Sequence, residues 1–284
     1  EPIEQNGDKF CFCTLALGKR YRLLALQLAQ DLEKHSPNTK LLVLTDSLKD
    51  FHTSKNIIAI KHQQKLWCDN DKSYLIEKAL SVFDYCICID ADMRILAPVS
   101  SELEWLPGIT ARSCCNLLKH HSRKRQKELK IIKKIANKLD ININDEDLKW
   151  IHEFLFVVKP DSGKEIEFIQ LFRKISCYLE LNGIHIGAGT AMGLAAAKVG
   201  LPVRHDPVDR IIFFKDRIER QRIKNGQVDP QEKLRYFEKQ QKLEFPQYSR
   251  GEKILIKASK HIKDLRRLID LKINALGDFN FYYR

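Results

Sequence analysis

The apolar residues of this chain come first in short, dense runs. The segment FCFCTLAL over residues 10–17 is continuous enough for a strand buried on both faces. Leu23, Leu24, Leu26, Leu28, Ala29 and Leu32 then recur at helical spacing and predict a helix over 19–35, stopped by Ser36-Pro37-Asn38. KLLVLT over 40–45 predicts a second strand, ending at Asp46, and 56–60 a third and weaker one. Leu75, Ile76, Ala79, Leu80 and Phe83 predict a helix over 72–83, and YCICI over 85–89 a fourth strand that runs into Asp90-Ala91-Asp92. Continuous apolar strands alternating with helices imply an α/β fold, with a mainly parallel, Rossmann-like sheet covered on both faces.

The second half is less regular. A strand is expected over 109–115, a basic helix over 119–139, a strand over 151–158 and an amphipathic helix over 163–181, closed by Asn182-Gly183. A glycine-bearing loop over 184–189 leads into a small-residue helix over 190–199. Gly200 and Pro202 follow that helix, and a short strand is expected over 201–205. Beyond Arg210 only helices and loops are predicted, among them a basic amphipathic helix over 253–276. The expected division is an α/β domain over 1–209, with a first half at 10–98, a basic helical insertion near 119–140 and a second half at 150–209, followed by a basic helical extension over 210–284.

Charge sharpens this division. Among 284 residues, 49 Lys and Arg against 37 Asp and Glu give a net charge of +12. Nine Lys/Arg and one Glu fall within 119–139, and nineteen Lys/Arg against ten Asp/Glu within 210–284, so the other 188 residues are net −5. A slightly acidic body with two basic attachments does not suit a nucleic-acid duplex bound across the whole face. The basic segment 119–139 also lacks the aromatics that single-strand or RNA binding requires. No nucleic-acid partner is expected.

Apolar residues make up 44 % of the chain and charged ones 30 %, enough for a sizeable core. No apolar run reaches 18 residues, so no spanning helix is expected. Eight cysteines occur, with Cys11 and Cys13, and Cys86 and Cys88, two apart inside apolar runs, and Cys114 adjacent to Cys115. Strand neighbours two apart share a face but are poorly placed to bridge one another. Buried, reduced thiols are the expectation, with metal binding or redox sensing as alternatives. A cytoplasmic location, with peripheral contact to a membrane, is the corresponding expectation.

Asp90-Ala91-Asp92 carries the sharpest chemistry. In open α/β sheets ligands bind outside the carboxyl ends of the strands. Two carboxylates so close together need a cation, and hard oxygen ligands suit Mg²⁺ or Mn²⁺. Such an ion can hold a diphosphate and stabilise a departing nucleotide.

The segments LALGKRY (15–21) and LVLTD (42–46) and the phrase DYCICIDAD (84–92) resemble the nucleotide-binding half of GT-A fold glycosyltransferases, over residues 10–98. The start is most similar to the retaining family-6 type, and Asp-Ala-Asp also occurs in the glycogenin-like group. The resemblance implies a nucleotide-diphosphate sugar donor, UDP- or GDP-linked, and a glycan, lipid-linked or other hydroxyl acceptor. It implies that Leu15, Ala16 and Leu17 line a nucleobase pocket, that Tyr21 packs on the base, and that Asp46 lies beside base or ribose. Lys72 would reach a donor phosphate, Asp90 would contact ribose or metal, and Asp92 would ligate the metal. His205 would be a third metal ligand, with His185 and His120-His121 as weaker candidates. Gly187, Gly189 and Thr190 would form the loop beneath the donor sugar. No carboxylate stands between Glu180 and Asp206, where retaining members often carry one, so the anomeric outcome stays open. For an inverting reaction, which needs a base, Glu153, Asp206 and Asp209 are candidates, Glu153 foremost because an aromatic, Trp150, stands near it.

Two other readings stay open here. A nucleotidyltransferase would use the same carboxylates, although only Gly18-Lys19-Arg20 stands where its basic glycine-rich loop belongs. A basic scaffold or nucleic-acid-binding protein without activity is the other. The helix at 253–276 could lie on an anionic membrane surface or, the commoner outcome for such a helix, pack back onto the sheet with its basic face solvated. The segment 119–139 offers the same choice and would also fit an anionic acceptor, such as a phosphorylated lipid or acidic glycan.

Overall fold

The computed structural model describes residues 9–100, 103–124, 126–206, 210–244 and 249–284. In chain order the elements begin β1 Phe10–Ala16, α1 Lys19–His35, β2 Lys40–Thr45, β3 Ile57–Lys61, α2 Lys72–Leu80, β4 Tyr85–Ile89, β5 Arg94–Ile95 and β6 Gly108–Ala111. There follow β7 Cys114–Asn116, α3 Leu117–Lys124, α4 Gln126–Lys138, β8 Lys149–Ile151, β9 Leu155–Lys159, α5 Lys164–Leu181 and α6 Ala188–Val199. The chain closes with β10 Val203–His205, β11 Phe213–Phe214, α7 Asp216–Lys224, α8 Pro230–Glu244, α9 Arg250–Leu276 and α10 Phe279–Tyr283.

Seven strands form the central sheet in the order β10-β6-β9-β4-β1-β2-β3. All run in one direction except β9, which is antiparallel to both β4 and β6. The expected α/β class and mostly parallel, helix-flanked sheet are therefore present. Alternation along the strands builds two cores. Cys11, Cys13, Leu42, Leu44, Cys86, Cys88, Phe156 and Val158 face the layer that contains α2, α5 and α6. Phe10, Phe12, Leu41, Val43, Ile87, Ile89, Leu155 and Val157 face α1. Strand order reverses at β1, because β2 and β3 extend one way while β4 pairs on the other side. The carboxyl ends of β1 and β4 thus flank a switch point, where α/β sheets open a crevice for ligands.

Several expected elements divide. The strand expected at 109–115 is two, β6 and β7, which leave in different sheets. The single strand expected at 151–158 is likewise β8 and β9, separated by a turn through His152-Glu153-Phe154. The basic helix at 119–139 is α3 and α4; of its apolar stripe, Leu129, Ile132, Ile135 and Leu139, the last three are buried against the body and Leu129 is half-buried.

Residues 210–284, expected as an extension of helices and loops, begin inside the body and include a strand. Phe213 and Phe214 form β11, antiparallel to β5, and Leu96 N–H donates to the Ile212 carbonyl at 2.9 Å. Phe214 is fully buried, and its ring lies 5.5 Å from that of Tyr236 and 5.1 Å from that of Phe237 in α8. Farther on, the buried pair Arg267–Glu180 ties α9 to α5.

Cys11, Cys13, Cys86, Cys88 and Cys177 are buried cysteines outside any disulfide, whereas Cys114 is half-buried and Cys115 exposed; the Cys68 side chain lies outside what is described. The Cys114-Cys115 pair departs from the expected burial because β7 lies in a two-stranded ribbon off the main sheet.

Candidate active site

The strand β4 ends in the centre of the sheet, and Asp90 continues its pairing, donating its N–H to the Phe154 carbonyl at 3.0 Å. Met93 N–H then bonds the Asp90 carbonyl at 3.0 Å, closing a tight turn that presents both carboxylates at the strand's end. The turn is held from two sides. Arg94 makes a bidentate pair with Asp31 of α1, and Gln240 of α8 donates to the Asp92 carbonyl at 2.8 Å.

Two lysines converge on this pair. The Lys72 side chain, at the start of α2, is almost fully buried, and its Nζ meets Asp90 Oδ1 at 2.5 Å, Asp69 Oδ1 at 3.2 Å and the Glu153 carbonyl at 2.6 Å. Lys215 Nζ lies 2.9 Å from Asp90 Oδ2 and also donates to Asp92 Oδ1. Burial by itself would disfavour the charged forms of Asp90, Lys72 and Lys215. The two ammonium groups outweigh it at Asp90 and hold that carboxyl well below the usual range. Reciprocally, burial is outweighed at Lys72 by Asp69 and Asp90, and at Lys215 by Asp90 and Asp92, so both lysines are held above their ordinary values.

Glu153 and His152, in the turn between β8 and β9, border the same cluster. Glu153 Oε2 is buried without a hydrogen-bond partner. Burial, reinforced by the nearby Asp69, pushes its pKa up to about 7. His152 is pushed down to about 4, first by burial and then by Arg217, Lys215 and Lys72, against the pull of Asp90. Its ring centroid lies 4.6 Å from that of Phe154 and 5.3 Å from that of Trp150.

The chain matches no known family model and no curated protein. The chemistry of the site therefore rests on its own geometry.

The other expected site residues fall into three groups. At the end of β1, Ala16 is buried with its carbonyl bonded by Thr45 Oγ1 at 3.0 Å, Leu15 and Leu17 are half-buried, and Tyr21 is 42 % exposed in the first turn of α1. Asp46 accepts from Gly18 N–H at 3.0 Å and from Arg22, so it pins the β1–α1 turn; burial opposes its ionisation, but these donors outweigh it and lower its pKa. These residues share the switch point with Asp90.

Gly187, Gly189 and Thr190 open α6, and here the geometry speaks for packing. A Cβ on Gly189 would lie 2.1 Å from the Ile151 carbonyl oxygen, and one on Gly193 would lie 1.8 Å from that of Lys149. These glycines let α6 press on the backbone of β8. Thr190 is buried with its hydroxyl 2.8 Å from His121 Nε2, and His120 stacks on Trp150 at 3.9 Å between centroids. His185 lies against Trp67, 5.6 Å between centroids.

The third group lies on the β10 side. His205 ends the edge strand β10 and is exposed. Among the described residues the only trio of His, Cys, Asp or Glu ligand atoms lying within 4.8 Å of one another is Cys13, Cys86 and Cys88, so His205 does not close such a trio with Asp90 and Asp92. Asp206 pairs with Arg210 at 3.2 Å and lines a small cavity with Trp105, Thr110 and Phe156. Asp209 lies outside the described residues.

Sequence reasoning missed Lys215, Asp69 and His152. Lys215 stands after the aromatic pair Phe213-Phe214, a faint local sign of a buried strand delivering a charge inward.

Proposed function

We propose that this chain is a GT-A type glycosyltransferase that moves a sugar from a nucleotide-diphosphate sugar to an acceptor hydroxyl. The observation that carries the reading is the convergence of Asp90, Asp92, Lys72 and Lys215 at the carboxyl end of β4, beside the switch point. Paired carboxylates and paired ammonium groups suit a ligand that arrives as a cation with a diphosphate.

The donor set fits Mg²⁺ or Mn²⁺. Asp90 and Asp92 offer hard oxygens on partly exposed side chains. One or two carboxylates, with the remaining positions left to phosphate oxygens and water, is the set Mg²⁺ favours. Asp90 and Asp92 would hold the ion, and His205 is not needed for it. When bound, it would neutralise charge on the departing nucleoside diphosphate.

The chain's own groups supply the rest. Lys72 keeps the Asp90 carboxylate ionised and oriented. Lys215, already shared between both carboxylates, is the cation placed to answer charge on the diphosphate. Glu153, with a pKa near neutrality, accepts the acceptor's proton. The acceptor oxygen then bonds to the anomeric carbon, the bond from that carbon to the phosphate oxygen breaks, and its electron pair leaves with the nucleoside diphosphate. The base would sit against 15–17 and Tyr21.

Thermal melting with UDP or GDP, with and without Mg²⁺ or Mn²⁺, tests the reading, together with slow hydrolysis of a panel of nucleotide sugars. Cation-dependent stabilisation, and hydrolysis that Asp92→Asn abolishes, are expected. No response to any nucleoside diphosphate would overturn it.

A further inference from the structure

The helix α9, Arg250–Leu276, carries two faces that the fold treats differently. Arg267, Leu271 and Ala275 are buried, and Arg267 reaches Glu180 of α5 while its guanidinium lies 5.1 Å from the Trp67 ring centroid. That face anchors the helix. Roughly opposite, at 100° per residue, stand Ile254, Ile262, Leu265, Ile269, Ile273 and Leu276, each between 49 and 71 % exposed. Every described side chain from Arg250 to Lys263 is exposed, so the first half of α9 stands clear of the body. Phe279 and Tyr283 in α10 follow, also exposed.

Such an apolar stripe on a soluble surface calls for an occupant. Its spacing says which kind. With Ala258 the stripe advances by 4, 4, 3, 4, 4 and 3 residues, an eleven-residue repeat over three turns. This is close to the period of a straight α-helix, so the stripe runs along the axis and matches a flat surface. A left-handed coiled-coil seam would need a seven-residue repeat. Charge points the same way. Lys257 and Lys272 border one edge of the stripe and Arg266 the other, and residues 250–284 hold nine Lys/Arg against four Asp/Glu. Among the described residues no helix is long and apolar enough to cross a membrane; an apolar stripe bordered by cations is instead the pattern of a helix that lies in the interface plane.

We propose that α9 docks this protein on a bilayer rich in anionic lipid, its apolar stripe at the boundary of headgroups and acyl chains and its bordering cations at the lipid phosphates. The inference stands apart from the catalytic reading and survives its failure.

The test is flotation of the full chain with vesicles of phosphatidylcholine alone or mixed with phosphatidylglycerol. Binding to the anionic vesicles should exceed binding to neutral ones at least tenfold and fall with salt. The double variant Ile262→Glu/Ile269→Glu should lose it with melting temperature unchanged, since both side chains are exposed. Equal binding to both vesicles, no binding, or unchanged binding of the double variant would overturn the proposal. So would a lipid-free dimer that the double variant turns into a monomer, because a second copy would then cover the stripe.

Discussion

Lys215 Nζ lies 2.9 Å from Asp90 Oδ2 although the two residues stand 125 positions apart. The same ammonium reaches Asp92, so one lysine bridges the whole carboxylate pair. Lysine and a divalent cation would compete for the same oxygens. Lys215→Ala should therefore let Mg²⁺ or Mn²⁺ alone raise the melting temperature more than in the parent chain, while nucleotide-sugar hydrolysis falls. Without metal the variant should lose about 1–3 kcal/mol, because Asp90 keeps only Lys72. Paired melting curves with and without the ion check this, and equal metal shifts in both chains would refute the competition.

Gly193 meets the Lys149 carbonyl so closely that a Cβ would lie 1.8 Å from it. Backbone cannot step aside as a side chain can. Gly193→Ala should cost about 3 kcal/mol, the upper end for overpacking, and shift β8, from which His152 and Glu153 continue. Gly187→Ala would meet only side-chain atoms, the tip of Leu179 at 3.0 Å and a methyl of Ile184 at 3.5 Å foremost, and should cost under about 1 kcal/mol. Chemical denaturation of the two variants separates packing from a loop that must cradle a sugar: the latter would make Gly187 the more sensitive position in activity.

The first ninety residues were legible because each strand and helix there is a local pattern, and because Asp90 and Asp92 adjoin the strand that buries them. Lys215 was not, since its position depends on β11 pairing with β5, a two-residue contact without periodicity. Direction was equally hidden. LFVVK of β9 is as apolar as a parallel strand, yet it enters reversed between β4 and β6, and the turn before it brings Glu153 to the cluster. Gly189 illustrates an ambiguity of residue type, because close approach to a phosphate and close approach to a neighbouring backbone both call for glycine. His205 stands at the end of a late strand as expected, but β10 is the edge of the sheet, three positions from β4.

Arg267 and Glu180 form a buried ion pair, and Glu180 also accepts the Trp67 N–H at 2.9 Å. Removing only the cation leaves a carboxylate without its counter-charge in the interior. Arg267→Leu should cost about 3–5 kcal/mol, and Arg267→Leu with Glu180→Leu less than the sum of the two single changes. A double-mutant cycle by urea unfolding measures this. Additive losses would mean that the pair does not anchor α9.

Glu153 couples the proposed chemistry to stability. Its folded pKa of about 7 lies above its ordinary 4.5, so the native state holds the proton more tightly than the unfolded chain. Its contribution to stability is fully present below pH 4.5 and is lost as pH rises through 7, by on the order of 3 kcal/mol. Glu153→Gln never ionises and escapes that loss. It should match the parent chain near pH 4.5 and exceed it in stability at pH 8. Its turnover should fall about 10²–10⁴-fold, the usual contribution of a positioned base. The rise of parental activity with pH near 7 should also vanish in the variant. Denaturation at the two pH values and a pH–rate profile check both halves. A variant that gains stability at pH 8 but keeps the parental rate and profile would leave Glu153 a buried carboxyl of the fold and remove it from the reaction.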